Sequence, residues 1–172
     1  MKKSQIHPMP EYFGRYIQLV EDIELTDAFK KSVDKINSLD IALLTKIGSQ
    51  TYAPGKWTVN EIIQHLADSE RILAYRTLLF AREDKTVPAR FDENLLAKNS
   101  KANNKNISEI IEELRLIRQS TIALYNTFDT TDLMKIGINW KDEMSVLAMG
   151  FAILGHQEHH LNFIETHYHK LA

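Results

Sequence analysis

The chain has 172 residues, no cysteine, and a formal net charge of -2 with its histidines neutral. Its length suits one domain, residues 1–172, with a sizeable core. The missing cysteines exclude disulfides, zinc ribbons and thiol nucleophiles, and the charge gives no electrostatic footprint for nucleic acid or an anionic membrane. Two lysines open the chain without an apolar stretch behind them, so Met1 to Pro8 does not read as a signal peptide. No apolar run approaches the roughly 20 residues that span a bilayer. A soluble, cytoplasmic protein with neither nucleic-acid nor membrane partners is expected.

Glycine and proline are few and fall between long segments, which points to an all-α protein. Pro10 to about Asp22 reads as a short, partly aromatic helix. Thr26 to about Ile47 reads as a long helix, with Phe29, Val33, Ile36, Leu39, Leu43 and Ile47 three or four residues apart. These two could be one interrupted helix. Pro54-Gly55 marks a turn. Thr58-Val59-Asn60-Glu61 has the form of a capping box and predicts a helix from there to about Arg82. Glu83 to Asn106 is polar and aperiodic; it reads as a long crossing loop with one helical turn near Glu93 to Ala97. Loops of that length in a compact domain often line a site. Helices follow from Ser108 to about Phe128 and from Ser145 to about His169, joined by a connection over residues 130–143 that carries Trp140. Four long helices with two extended connections predict a four-helix bundle, a fold whose core can bring metal ligands together from facing helices.

The chemistry concentrates in Gly155-His156-Gln157-Glu158-His159-His160. His156 and His160 stand four residues apart, which places two imidazoles one turn apart on one helical face. Two such nitrogens can grip one metal ion. His159 also lies three residues from His156, although it points about 100° away from His160. Histidine pairs at this spacing are common on solvated helices, so a third ligand is the deciding feature. His65, in Glu61-Ile62-Ile63-Gln64-His65-Leu66-Ala67-Asp68, is the candidate. Three imidazoles leave a coordination position open, as catalytic rather than closed structural zinc sites do. Gln157 follows the first histidine where a zincin would have glutamate, so that motif is absent.

Trp57 to Asp68, taken with Gly155 to His160, resembles the DinB/YfiT-like superfamily. The opening Tyr12-Phe13-Gly14-Arg15-Tyr16-Ile17-Gln18-Leu19-Val20 resembles the start of many of its members. The resemblance spans nearly the whole chain, and the motifs come in the same order. It implies a four-helix bundle of up-down-down-up topology, a homodimer, and a divalent metal, zinc or nickel. It carries the metal ligands onto His65, His156 and His160. Members include transferases that use bacillithiol or mycothiol, a maleylpyruvate isomerase and proposed metal-dependent hydrolases, so the resemblance does not select a reaction.

Around these ligands, Glu61 and Asp68 flank His65 by one turn on either side. Either could accept the second N–H of its ring, and Asp68 could act as general base on metal-bound water. The capping box already accounts for Glu61. His159 reads as a group at the edge of the site, and Glu158 as facing elsewhere. His167 and His169 suit the negative end of the last helix. Trp57 reads as packing at the bundle end and Trp140 as a wall of the pocket. Lys85, Arg90, Lys98, Lys101 and Lys105 tilt the long connection basic, as a solvated loop or as a contact for an anionic thiol or carboxylate. The expectation is a metal-dependent enzyme acting on a small molecule, activating water or a low-molecular-weight thiol for hydrolysis or S-transfer. The alternative is a non-catalytic helical dimerisation or binding module with a structural metal or none. A pocket over the open position separates the first from the second, which a fourth protein ligand would favour.

Overall fold

The computed structural model describes residues 1–172. Eight helices are present: α1 (Gly14–Ile17), α2 (Leu25–Asn37), α3 (Ile41–Ile47), α4 (Val59–Ala81), α5 (Glu93–Asn99), α6 (Ile107–Tyr125), α7 (Thr130–Met134) and α8 (Val146–Tyr168). A two-stranded antiparallel hairpin, β1 (Ile136–Asn139) and β2 (Asp142–Ser145), leads into α8. No helix is long and apolar enough to cross a membrane.

The long helices begin where their caps place them. The Thr58 N–H donates to Glu61 Oε2 at 2.7 Å, and the Glu61 N–H donates back to Thr58 Oγ1 at 3.2 Å. Two N–H groups that the first turn of α4 leaves without helical partners are thereby satisfied. The Asn106 N–H donates to Glu109 Oε2 at the start of α6, and Ser145 Oγ accepts from the Ala148 N–H at the start of α8.

Three expectations about the elements need correction. The segment expected to be helical from Thr26 to Ile47 is two helices, because the backbone breaks at Ser38 and Leu39. Asp40 then caps α3 by accepting from the Leu43 N–H at 2.9 Å. Apolar spacing of three and four carries across such a break, which is why periodicity alone misses it. The Pro10–Asp22 segment holds only one turn of α-helix, α1. Its entry is held instead by the Asp142 carboxylate, which accepts from the Tyr12 and Phe13 N–H groups at 2.9 and 3.2 Å. The connection over residues 130–143 folds into α7 and the hairpin. Gly137 lies flat on the Phe80 ring there, where a Cβ would collide.

Cross-helix pairs fix the topology of the four principal helices. Gln64 meets Glu113 and Glu70 meets Arg118, so α4 and α6 run parallel. Trp57 meets Tyr168 and His65 meets His156, so α4 and α8 are antiparallel. Leu25 lies by Gly150 and Ser32 bonds Gln157, so α2 and α8 run parallel. Phe29 packs on Tyr125 and Asn37 bonds Arg115, so α2 and α6 are antiparallel. The bundle is therefore up-down-down-up.

Its interior holds two apolar clusters. One gathers Leu25, Phe29, Leu73, Phe80, Tyr125 and Phe151; the other gathers Ile36, Ile63, Ile110, Ile111, Leu114 and Tyr168. Polar side chains lie buried at mid-bundle. Arg118, 1% exposed, grips both oxygens of Glu70 at 2.8 Å and also donates to Ser32 Oγ. Residues 146–155 of α8 are buried on every side. That half of the helix is central rather than amphipathic, as a helix apolar all round must be. His156 follows directly, where α8 first meets a cavity.

Candidate metal centre

α4 and α8 carry the three histidines to one point. His156 Nε2 lies 3.2 Å from His65 Nε2 and 3.0 Å from His160 Nε2. The three ligand atoms all lie within 4.8 Å of one another. Nitrogens held at about 2.0–2.1 Å from one ion stand roughly 2.8–3.4 Å apart, the lower end octahedral and the upper end tetrahedral. His156 has that spacing to both His65 and His160, so the cluster offers a donor set suited to a divalent ion.

Their electrostatics suit the same role. Burial pushes His65 down to about 4. His160 is pushed down to about 3, by burial first and then by the neighbouring His65 and His159. His156 is held well below the usual imidazole range, again by burial first and then by His160 and His65. All three are therefore neutral near pH 7, the form in which imidazole binds a metal.

Ser69, one turn along α4, places its Oγ 3.3 Å from His65 Nδ1. With Nε2 turned to the cluster, Nδ1–H can donate to this hydroxyl and hold the ring in place. Neither carboxylate expected beside His65 takes that position. Glu61 is occupied in the capping box. Asp68 lies off the cavity, accepting from Gln64 Nε2 and Arg71 Nη1, each at 3.2 Å. That pair joins a surface network with Glu113 and Lys105.

A cavity of about 460 Å³ opens over the histidines. Its walls include Tyr12, Tyr16 and Arg15 from the N-terminal segment, Trp57, Trp140 from the hairpin turn, and Arg76, Arg90, Phe91 and His159. The Tyr16 ring meets His156 and His159 edge-on, each at 5.3 Å between centroids. Its hydroxyl accepts from Arg15 Nη2 at 2.9 Å, and burial raises its pKa, so the phenol stays protonated. His159 has a lowered pKa, by partial burial and then by Arg15. Trp57 does more than close the bundle end, since its ring packs 4.9 Å from that of His65. Trp140 lines the cavity with φ at +62°, a backbone region bulky residues rarely occupy. Its ring meets Tyr12 edge-on at 4.8 Å.

Of the basic residues in the long connection, Arg90 reaches the cavity, whereas Lys105 pairs with Glu113 at 3.1 Å. Glu158 pairs with Lys35 of α2, on another face of α8. His167 stacks on Phe163 at 4.1 Å, away from the cluster. Sequence reasoning missed Tyr16, Ser69 and Arg76 as parts of the site. Helical spacing carries the signal for two of them: His65, Ser69, Leu73 and Arg76 fall on one stripe of α4 and all line the cavity.

An up-down-down-up bundle with a three-histidine cluster under a cavity is a helical fold whose donors could hold a metal ion. Residues 14–164 match the sequence model of the DinB superfamily, and the chain belongs to that superfamily. It is 28% identical over 134 residues to a protein of Oceanobacillus iheyensis named as a proposed metal-dependent hydrolase, covering 77% of this chain and 74% of the relative. The fold is that of YfiT from Bacillus subtilis, described as a probable metal-dependent hydrolase with an unusual four-helix bundle topology. The TM-score is 0.65 at 20% identity, over 94% of this chain and 86% of that one.

Proposed function

We propose that the protein is a metal-dependent hydrolase of small molecules, with His65, His156 and His160 holding one divalent ion, zinc or nickel. The observation that carries this reading is the convergence of three neutral imidazoles beneath a cavity. A cavity over three ligands is the arrangement of a catalytic site and not of a closed structural one. The relatives named as metal-dependent hydrolases support the same reading. A bound divalent ion supplies Lewis acidity to a water molecule or to the electrophile.

The chain's own residues supply the rest. His159 is a neutral imidazole at the cavity wall and can take a proton from the nucleophile. Tyr16, a protonated phenol beside His156, can donate a hydrogen bond to a substrate oxygen. Trp140, Tyr12 and Phe13 wall the cavity with aromatic surface against water.

A low-molecular-weight thiol in place of water is the second reading. Arg15, Arg76 and Arg90 in the cavity favour it, because they suit a nucleophile delivered as an anion. Metal analysis of protein purified without a histidine tag tests the site, with about one ion per chain expected. His156→Ala should lose the ion and keep its helical spectrum; a variant that retains a full equivalent overturns the ligand assignment. Turnover of an ester and amide panel by the loaded protein without added thiol selects hydrolysis. Turnover that begins only when a thiol is supplied selects transfer.

A further inference from the structure

Arg76 is a buried cation without an anion. It is 3% exposed. Its Nη1 donates to Asn139 Oδ1 at 2.6 Å and its Nη2 to the Ala89 carbonyl at 2.7 Å, both neutral acceptors. Its Nε is buried with no partner at all. The contrast within this fold is Arg118, equally buried but matched by both oxygens of Glu70. A desolvated charge without a counter-ion is costly and ordinarily acquires one.

Arg76 lines the same cavity as the histidines. Arg15 and Arg90 line it too, and Glu93 is the one carboxylate that does. His65 and Arg76 are eleven positions apart on α4, three helical turns along one stripe. Their Cα atoms are therefore about 16 Å apart. Leu73 lies between them, and Phe91 faces the guanidinium at 5.4 Å.

We propose that the cavity takes an elongated ligand whose anionic group docks on Arg76, with an apolar or aromatic middle and its reacting end at the histidines. The anion is of carboxylate or phosphate type, since both suit the planar donor fork of a guanidinium. The placing of the ligand's reacting end rests on the metal-site reading; the anion subsite does not.

Calorimetric titration with decanoate, decyl phosphate and decanol tests the subsite, on the purified protein and again after chelation of any metal. The expected result is at least fivefold tighter binding of one of the two anions than of decanol, with and without metal. Whichever anion binds tighter identifies the source. A smaller preference after chelation overturns the proposal while leaving metal binding as an independent result. Failure of the purified protein to bind zinc or nickel, with the preference intact, overturns the metal site alone. Arg76→Met should reduce the preference below twofold, and a retained preference overturns the assignment to Arg76. Should that variant not fold, the Arg76 Nε–H resonance of the wild type serves instead. It should shift with the anion and not with decanol, and an unmoved resonance overturns the assignment.

Discussion

The backbone carbonyl of Tyr16 occupies the place where a side chain at Gly155 would stand. The residue before the first histidine of α8 is thus the point where the N-terminal segment presses against that helix. Contact this close needs a residue without a Cβ. It sets the Tyr16 ring against His156 and His159, and so builds one wall of the cavity.

Gly155→Ala should therefore destabilise the protein by about 1–3 kcal/mol, the usual range for overpacking a tight contact. Backbone on the opposing side cannot rotate away as a side chain can. Urea unfolding measures the loss. A variant as stable as the wild type would show that α1 yields at little cost.

Much of the fold is legible in the chain because its signals are local. Thr58 and Glu61 mark the start of α4, and the apolar content of residues 146–155 marks a buried helix. The α2–α3 break was signalled by Ser38 and Asp40, a stop and a cap, but the apolar spacing runs past them. The hairpin was hidden because its turn is Trp140-Lys141 and not a glycine-bearing pair. Its first position takes a positive φ under a tryptophan, against local preference. Tertiary packing of that ring on Tyr12 accompanies it. The three histidines could be grouped from spacing and motif order. The charge state of Arg76's surroundings could not, because its partners come from β1 and from the long connection.

The Glu70–Arg118 pair is buried on both sides, at 3% and 1% side-chain exposure. Removing one member strands the other, so Arg118→Met should cost about 3–5 kcal/mol. Replacing both, as Arg118→Met with Glu70→Leu, should recover most of that loss, because an apolar pair need not be desolvated against its charge. A double-mutant cycle in urea measures the coupling. Strictly additive losses would remove the argument.

Acid should weaken the metal-free protein before its carboxylates titrate. An unfolded histidine has a pKa near 6.5, whereas folded His65 is near 4 and His160 near 3. Between those values the unfolded chain binds more protons than the folded one, so stability rises with pH there and falls on acidification. The imidazoles impose no such penalty above pH 6.5. At pH 5 the loss from His65 alone is on the order of 2 kcal/mol. Thermal melts of chelated protein from pH 7.5 to 5 should show a falling Tm, with protons taken up on unfolding. A flat Tm from pH 7 to 5 contradicts the neutral buried cluster.

Ser69 and Asp68 make opposite predictions for the site. Ser69 Oγ is 3.3 Å from His65 Nδ1, whereas the Asp68 carboxylate is turned to Gln64 and Arg71. A hydrogen bond to the distal nitrogen of a ligating imidazole fixes its tautomer and orientation, and its loss usually lowers metal affinity about 10–100-fold. The neutral hydroxyl is the weaker kind of partner, so about tenfold is expected for Ser69→Ala. Asp68→Asn keeps the shape of the side chain and touches no ligand, so metal affinity should stay within about twofold of wild type. Competition with a chelator of known strength gives both numbers. A large effect at Asp68 with none at Ser69 would assign the positioning of His65 to the carboxylate and require α4 to turn on binding metal. The expected order, Ser69 sensitive and Asp68 indifferent, follows from the single stripe of α4 that carries His65, Ser69, Leu73 and Arg76 into the cavity.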